Sequence, residues 1–178
     1  ADLTDDYTAI PTEMRQVAAQ FGQTELRGVS EEAFYAAIPQ LRRSCSDRAI
    51  LRAMHFFAEN RRAGAQAQAL ESGDMAQFLT LVQESGASSA ELLQNLYSAS
   101  KPTAQEIPLA IAVSKRLLAG AGAVRVHGGG FAGTIQAFVP LAQVAMYTKA
   151  MEQLFGEGSC YVLRIRPVGG VEMKEELQ

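Results

Sequence analysis

Cysteine and histidine are scarce in this chain, with two of each among 178 residues. Cys45 and Cys160 lie far apart and share no metal-ligand or redox spacing. That excludes a disulfide framework and predicts a reduced, cytoplasmic setting in which both thiols serve as small buried hydrophobes. The histidines, His55 and His127, belong to no Ser-His-Asp or Cys-His set, and each reads as structural. Carboxylates such as Asp5, Asp6, Glu59 and Asp74 fall at helix starts or on exposed faces, where capping or solvation is their default role. Read alone, the residues supply no catalytic acid, base or nucleophile and no metal site.

Basic runs are missing as well. The net charge is −3 with a pI near 5.5, and Arg42-Arg43 and Arg61-Arg62 are isolated pairs. Binders of nucleic acid or anionic membranes gain affinity by neutralising phosphates with clustered cations, so neither partner is expected. From Val126 to Thr148 there is no charge apart from a possible one on His127, yet five residues there are Gly or Pro. A spanning helix needs about 20 predominantly apolar residues without such breakers, which excludes a membrane span. The first residues, Ala1 to Asp6, offer no initiator Met, basic n-region or apolar h-region. They read as the interior of a longer protein.

The chain does hold enough apolar residues, 48%, to bury one sizeable core as a single domain, 1–178. Its first two thirds read as successive helices. Pro11 suits a first turn, with Ile10, Met14, Val17, Ala18 and Phe21 on one face and Gly22 as the stop. Ser30 caps a short helix that Pro39 closes, and a long helix runs from about Ser46 to Ser72. Asp74 caps the next, with Gly86 at its end. Ser88 with Glu91 and Thr103 with Glu106 have capping-box spacing, which predicts helices near 89–98 and 104–119. After Gly122 the period becomes alternating. Val124 to Val126, Thr134 to Val139 and Tyr161 to Arg166 read as strands, with a helix from Leu141 to Phe155 between the last two. The order predicts an α+β fold, a split β-α-β antiparallel sheet of ferredoxin-like plan with helices on one face, plus an extra N-terminal helical bundle. Val171 to Gln178 reads as a frayed tail.

Between the first two strands lies the densest chemical signal, Arg125-Val126-His127-Gly128-Gly129-Gly130-Phe131-Ala132-Gly133-Thr134. Gly128, Gly130 and Gly133 match G-x-G-x-x-G, but a strand-like segment follows where a dinucleotide site needs a helix. Gly128 and Gly133 have Walker A spacing, yet Thr134 stands where the phosphate-binding Lys belongs. Two readings stay open. The glycines form a hairpin turn with a bulge, or their bare backbone makes an anion-binding concavity or packs on a neighbouring phosphate loop.

This segment closely resembles the third signature motif of galactokinases, in the superfamily of galactokinase, homoserine kinase, mevalonate kinase and phosphomevalonate kinase. Arg52, His55, Glu59 and Arg62 resemble the family's helix after the sugar-site region. Tyr161 to Pro167 is similar to its closing strand, and Ala1 to Met14 to the segment beyond its catalytic acid. The resemblance spans essentially the whole chain, but only the C-terminal part of a galactokinase. It implies a two-domain enzyme that phosphorylates galactose with ATP and Mg²⁺ in the cleft between domains. The N-terminal domain, with the phosphate loop and the catalytic Asp and Arg, is absent from this sequence. The resemblance further implies that Gly128, Gly129, Gly130, Phe131 and Gly133 line the nucleotide side of the cleft, and that Tyr7 matches a sugar-contacting tyrosine. Ala132 and Thr134 replace the Gly and Cys of many members. Leu92 to Ala104 departs from the family stretch rich in Ser, Cys, Pro and acidic residues, so the resemblance does not extend to sugar specificity. Phosphoryl transfer rests on positioning and electrostatics, so the isolated chain is expected to be inactive. The alternative expectation is a stand-alone, non-catalytic module that binds a small molecule or regulates a partner.

Overall fold

The computed structural model describes residues 3–131 and 133–165. In chain order these form α1 (Thr4–Ala19), a 3-10 turn (Leu26–Gly28), α2 (Glu31–Leu41), α3 (Asp47–Glu71) and α4 (Met75–Ser88). A π-helical turn (Ser89–Leu93), α5 (Glu106–Leu118), β1 (Ala123–His127), β2 (Thr134–Phe138), a 3-10 turn (Leu141–Gln143) and α6 (Val144–Phe155) follow. Three expected starts are built as the side-chain chemistry dictates. Ser30, Ser46 and Asp74 accept from the amides of Ala33, Ala49 and Gln77 at 3.4, 3.1 and 2.9 Å, each relieving one orphan donor of a first turn. Gly120 (φ +84°) and Gly156 (φ +98°) lie just past the ends of α5 and α6, where their positive φ strains no Cβ.

Other punctuation is overridden. Pro11 sits inside α1, which starts at Thr4, and Pro39 sits in the last turn of α2, which runs on to Leu41. A proline removes one intrahelical bond, and packing on either side holds the helix through it: Val17 and Ala18 are fully buried beyond Pro11, and Leu41 is buried beyond Pro39. Gly86 lies within α4 and stops nothing. A Cβ there would stand 3.1 Å from Arg125 Cβ and 3.3 Å from the Val124 carbonyl oxygen, so its role is to let α4 and β1 approach. The helix expected near 89–98 is instead a π turn that ends at Gln94 in the left-handed region (φ 59°). Ser88 belongs to α4 rather than to a cap, and α5 starts at Glu106 with no side-chain cap.

β1 and β2 pair antiparallel, with Arg125 opposite Gln136 and His127 opposite Thr134. Successive residues point to opposite faces, and helices cover both. Arg125 bonds Ser85 of α4, and the Phe138 ring meets Phe78 of α4 edge-on at 5.3 Å. Ile135 and Ala137 pack with Ala110, Leu118, Tyr147 and Met151 of α5 and α6. The expectation of helices on one face therefore does not hold. Nor does the third strand form in the described part of Tyr161–Arg166: residues 161–165 make no strand, and Tyr161, Val162, Leu163 and Ile165 are exposed. The frayed tail expected over Val171 to Gln178 lies outside the described residues.

Burial divides into two clusters rather than one common core. The N-terminal bundle centres on Val17, Phe34, Leu41, Ile50 and Phe57, from α1, α2 and α3. The second lies between the sheet and α5 and α6. Cys45 is buried as expected, whereas Cys160 is only half-buried. Between the clusters α3 and α4 run against each other, and Ser85 of α4 links Glu59 of α3 to Arg125 of β1.

Candidate functional site

The loop from Gly128 to Gly133 joins β1 to β2, so a strand does follow it and no helix starts there. Its backbone turns through positive φ at Gly128 (+64°), Gly130 (+82°) and Phe131 (+59°). Glycine adopts such angles without strain, and Phe131 is held there by its surroundings. The Phe131 ring is buried and meets the ring of Tyr7 edge-on, with centroids 5.1 Å apart at 86°. Tyr7 Oη donates to the Gly130 carbonyl at 2.9 Å. A Cβ on Gly129 would stand 2.6 Å from Tyr7 Cε1. Gly133 closes the turn by donating to the Gly130 carbonyl at 3.1 Å. Thus the structure brings Tyr7 of α1 onto the glycine loop, 123 residues away in sequence.

The other wall of the loop is Asn95, which sequence reasoning did not single out. Asn95 is 2% exposed. Its Nδ2 donates to the Gly129 carbonyl at 3.2 Å, and its backbone carbonyl accepts the Phe131 amide at 2.6 Å. A Cβ on Gly130 would overlap that same carbonyl oxygen and stand 2.6 Å from Nδ2. Among the described residues the side-chain Oδ1 is buried without a partner, an arrangement that costs about 1–3 kcal/mol. The π turn delivers Asn95 to this position. Gln94 closes that turn with its amide on the Ser89 carbonyl at 2.8 Å, and Arg52 Nε donates to the Leu93 carbonyl at 3.2 Å.

Arg52 begins a polar ladder on one face of α3. His55, Glu59 and Arg62 follow at spacings of three, four and three, which keeps them on one side of the helix. Arg52 Nη1 also binds Glu13 Oε2 of α1 at 2.9 Å, and Glu13 takes a second cation, Arg48 Nη2, at 2.5 Å. Glu59 Oε2 accepts from Ser85 Oγ at 2.5 Å, and Ser85 Oγ in turn accepts from Arg125 Nη1 at 2.5 Å. Arg62 pairs with Glu59 and approaches Glu84 at 3.6 Å. Glu59 is therefore a structural acceptor between α3, α4 and β1, and not the solvated carboxylate expected of it. Ser85 is fully buried.

His55 is buried too, with Nδ1 2.9 Å from Ser88 Oγ. Burial lowers its pKa from the ordinary 6.5, and the nearby charges of Arg125 and Arg62 add to this against the opposing pull of Glu59 and the Ser88 hydrogen bond. A depressed folded-state pKa means that the unfolded chain binds the proton more readily, so stability falls with pH below about 6.5. Urea midpoints are expected to drop between pH 7 and pH 5, and His55→Gln is expected to flatten that slope. An unchanged slope in the variant would assign the acid sensitivity to other groups.

His127 sits exposed at the end of β1, and Asp74 is spent on its cap. Among the described residues no group of His, Cys, Asp or Glu is spaced to hold a metal ion, and no helix is long and apolar enough to cross a membrane. Two shallow surface depressions among the described residues, one on α6 and one between the C-terminal ends of α1 and α2, do not touch the glycine loop.

The path of the chain through these elements matches a solved structure. The galactokinase of Lactococcus lactis, crystallised with galactose, superposes with a TM-score of 0.64 at 21% identity. This is a galactokinase-like fold. The alignment covers 88% of this chain and 38% of that one, so the chain spans well under half the length of that galactokinase. No family model matches the sequence.

Proposed function

We propose that this chain is the C-terminal portion of a galactokinase-type sugar kinase, completing an ATP and sugar cleft when joined to an N-terminal half. The observation that carries this reading is the convergence, on a galactokinase-like fold, of Tyr7 with the Gly128–Gly133 loop. Tyr7 would face the sugar, and the loop would lie beside the phosphate-binding segment of the other half. The loop fits such a neighbour, because Gly128 and Gly129 are exposed, a Cβ at Gly128 would meet nothing within 4 Å, and no acceptor among the described residues takes the Gly129 amide. With no metal-ligating cluster among the described residues, Mg²⁺ would be held by the other half and by ATP itself. ATP supplies the transferred phosphoryl group, and this chain's share is to position and to exclude water. In the same reading the enzyme would act in the cytoplasm on galactose or a related sugar.

Joining the chain to an N-terminal galactokinase half is expected to give sugar-dependent ADP release, and the lone chain is expected to give none. A well-folded complex without that activity would sink the proposal. Calorimetric titration of the lone chain with galactose and with Mg-ATP separates the remaining alternative: micromolar binding without the other half would mark a stand-alone binding module. In the active complex, Gly129→Val is expected to lower turnover far more than the melting temperature. The new side chain meets Tyr7, 41% exposed, which can swing aside at the expense of its bond to Gly130.

A further inference from the structure

The loop's hydrogen-bonding groups divide into those used internally and those left over. Asn95 takes the Gly129 carbonyl with its side chain and the Phe131 amide with its backbone, and Tyr7 and Gly133 take the Gly130 carbonyl. The amides of Gly129 and Gly130 are left without an acceptor among the described residues. Only Nδ2 can donate to the Gly129 carbonyl, so that single bond orients a side chain whose Oδ1 has no partner among the described residues. Buried polar atoms are ordinarily satisfied, and an exception is tolerated where geometry matters more than stability. The left-handed Gln94 and the π turn supply that geometry. They bring the Asn95 carbonyl so close that nothing larger than glycine fits at position 130.

We infer that Asn95 is the positioning residue of the glycine loop, tying down its internal carbonyl and amide so that the amide of the exposed Gly129 stays available to an anionic group. The anion is a phosphate, carried either by a nucleotide or by a nucleotide already bound to a partner domain. This last step rests on the kinase reading above; the clamp itself does not. Asn95 works through the loop and touches no reacting atom.

Amide hydrogen exchange on the chain tests the clamp, with Asn95→Asp and Asn95→Ala compared with the unaltered protein. Asp keeps the shape and loses the donor; Ala removes the donor and the unpaired oxygen together. At pH 7.5 the Phe131 amide is expected to exchange about 10–100 times faster in both, while the Phe57 amide, in the helical core, changes less than twofold. In Asn95→Asp, lowering the pH to 5 protonates the new carboxyl, which can again donate to Gly129. Phe131 protection, normalised to Phe57, is then expected to recover in Asp and not in Ala. Unchanged Phe131 exchange, or exchange that merely tracks Phe57, would overturn the clamp. When the chain is joined to an N-terminal half, kcat/KM for Mg-ATP is expected to fall about 10–100-fold in both variants, with KM for galactose within twofold. Equal loss toward both substrates would overturn the nucleotide-side assignment. Inactivity of the unaltered complex would instead count against the kinase reading, leaving the exchange result to judge Asn95.

Discussion

Gly130→Ala is expected to destabilise the chain by about 2–5 kcal/mol, the sum of a left-handed alanine and an overpacked contact. Gly130 has φ +82°, and the added methyl would overlap the Asn95 carbonyl oxygen and crowd Nδ2 at 2.6 Å. Neither obstacle is a flexible side-chain end. The carbonyl belongs to backbone bonded to the Phe131 amide, and Nδ2 is bonded to Gly129. For a domain of this size the loss corresponds to a fall of roughly 5–15 °C in melting temperature. Gly128→Ala is the control. Its φ is also positive (+64°), but a methyl there meets nothing within 4 Å, so only the conformational term of about 1–2 kcal/mol applies. Calorimetry of the two variants side by side separates strain from collision, and equal melting temperatures would refute the close packing of Gly130 on Asn95.

Arg52→Ala is expected to cost about 3–5 kcal/mol, the range for removing one partner of a buried ion pair. Its guanidinium is 3% exposed and Glu13 13% exposed, and the Leu93 carbonyl would lose its donor as well. Burial lowers the Arg52 pKa from its ordinary value, opposed by the attraction of Glu13. The side chain still remains charged at any physiological pH. Arg48 continues to neutralise Glu13, so the lower end of the range is expected if that pair tightens. Urea denaturation measures the loss. The variant is also expected to disturb the π turn, seen as faster exchange at the Gln94 amide, which bonds Ser89 in the native chain. A loss below about 1 kcal/mol would show that Arg52 is not the prop of this turn. Arg52→Lys is expected to recover little, because an ammonium cannot match the planar fork that reaches Glu13 and Leu93 together.

Much of the helical layout was legible because the signals are local. A cap oxygen acts on an amide three residues away, as at Ser30, Ser46 and Asp74, and no distant residue is needed to form that bond. The prolines and Gly86 misled because their meaning depends on what packs beside them. Gly86 carries no signal in its own helix that β1 will lie against it. Ser88 with Glu91 has the spacing of a capping box, yet the Ser88 hydroxyl is taken by His55, 33 residues away. Arg52, His55, Glu59 and Arg62 were grouped by the family resemblance, but the contacts they make were not legible. Asn95 gave no warning, since a lone Asn in a polar stretch ordinarily reads as a turn residue.

The candidate site divides along the same line. The sequence alone placed a glycine-rich loop between two strands after a helical region, because positive φ and strand alternation are properties of neighbouring residues. Only the tertiary structure decided which atoms pack on the bare backbone. Tyr7 reaches it from 123 residues away and Asn95 from 34. Neither contact leaves a trace in local spacing, since each depends on how α1 and the π turn dock on the loop. Four glycines announce that something must come close. Which atoms come close is a matter of packing, and here they are a tyrosine ring and an asparagine carbonyl.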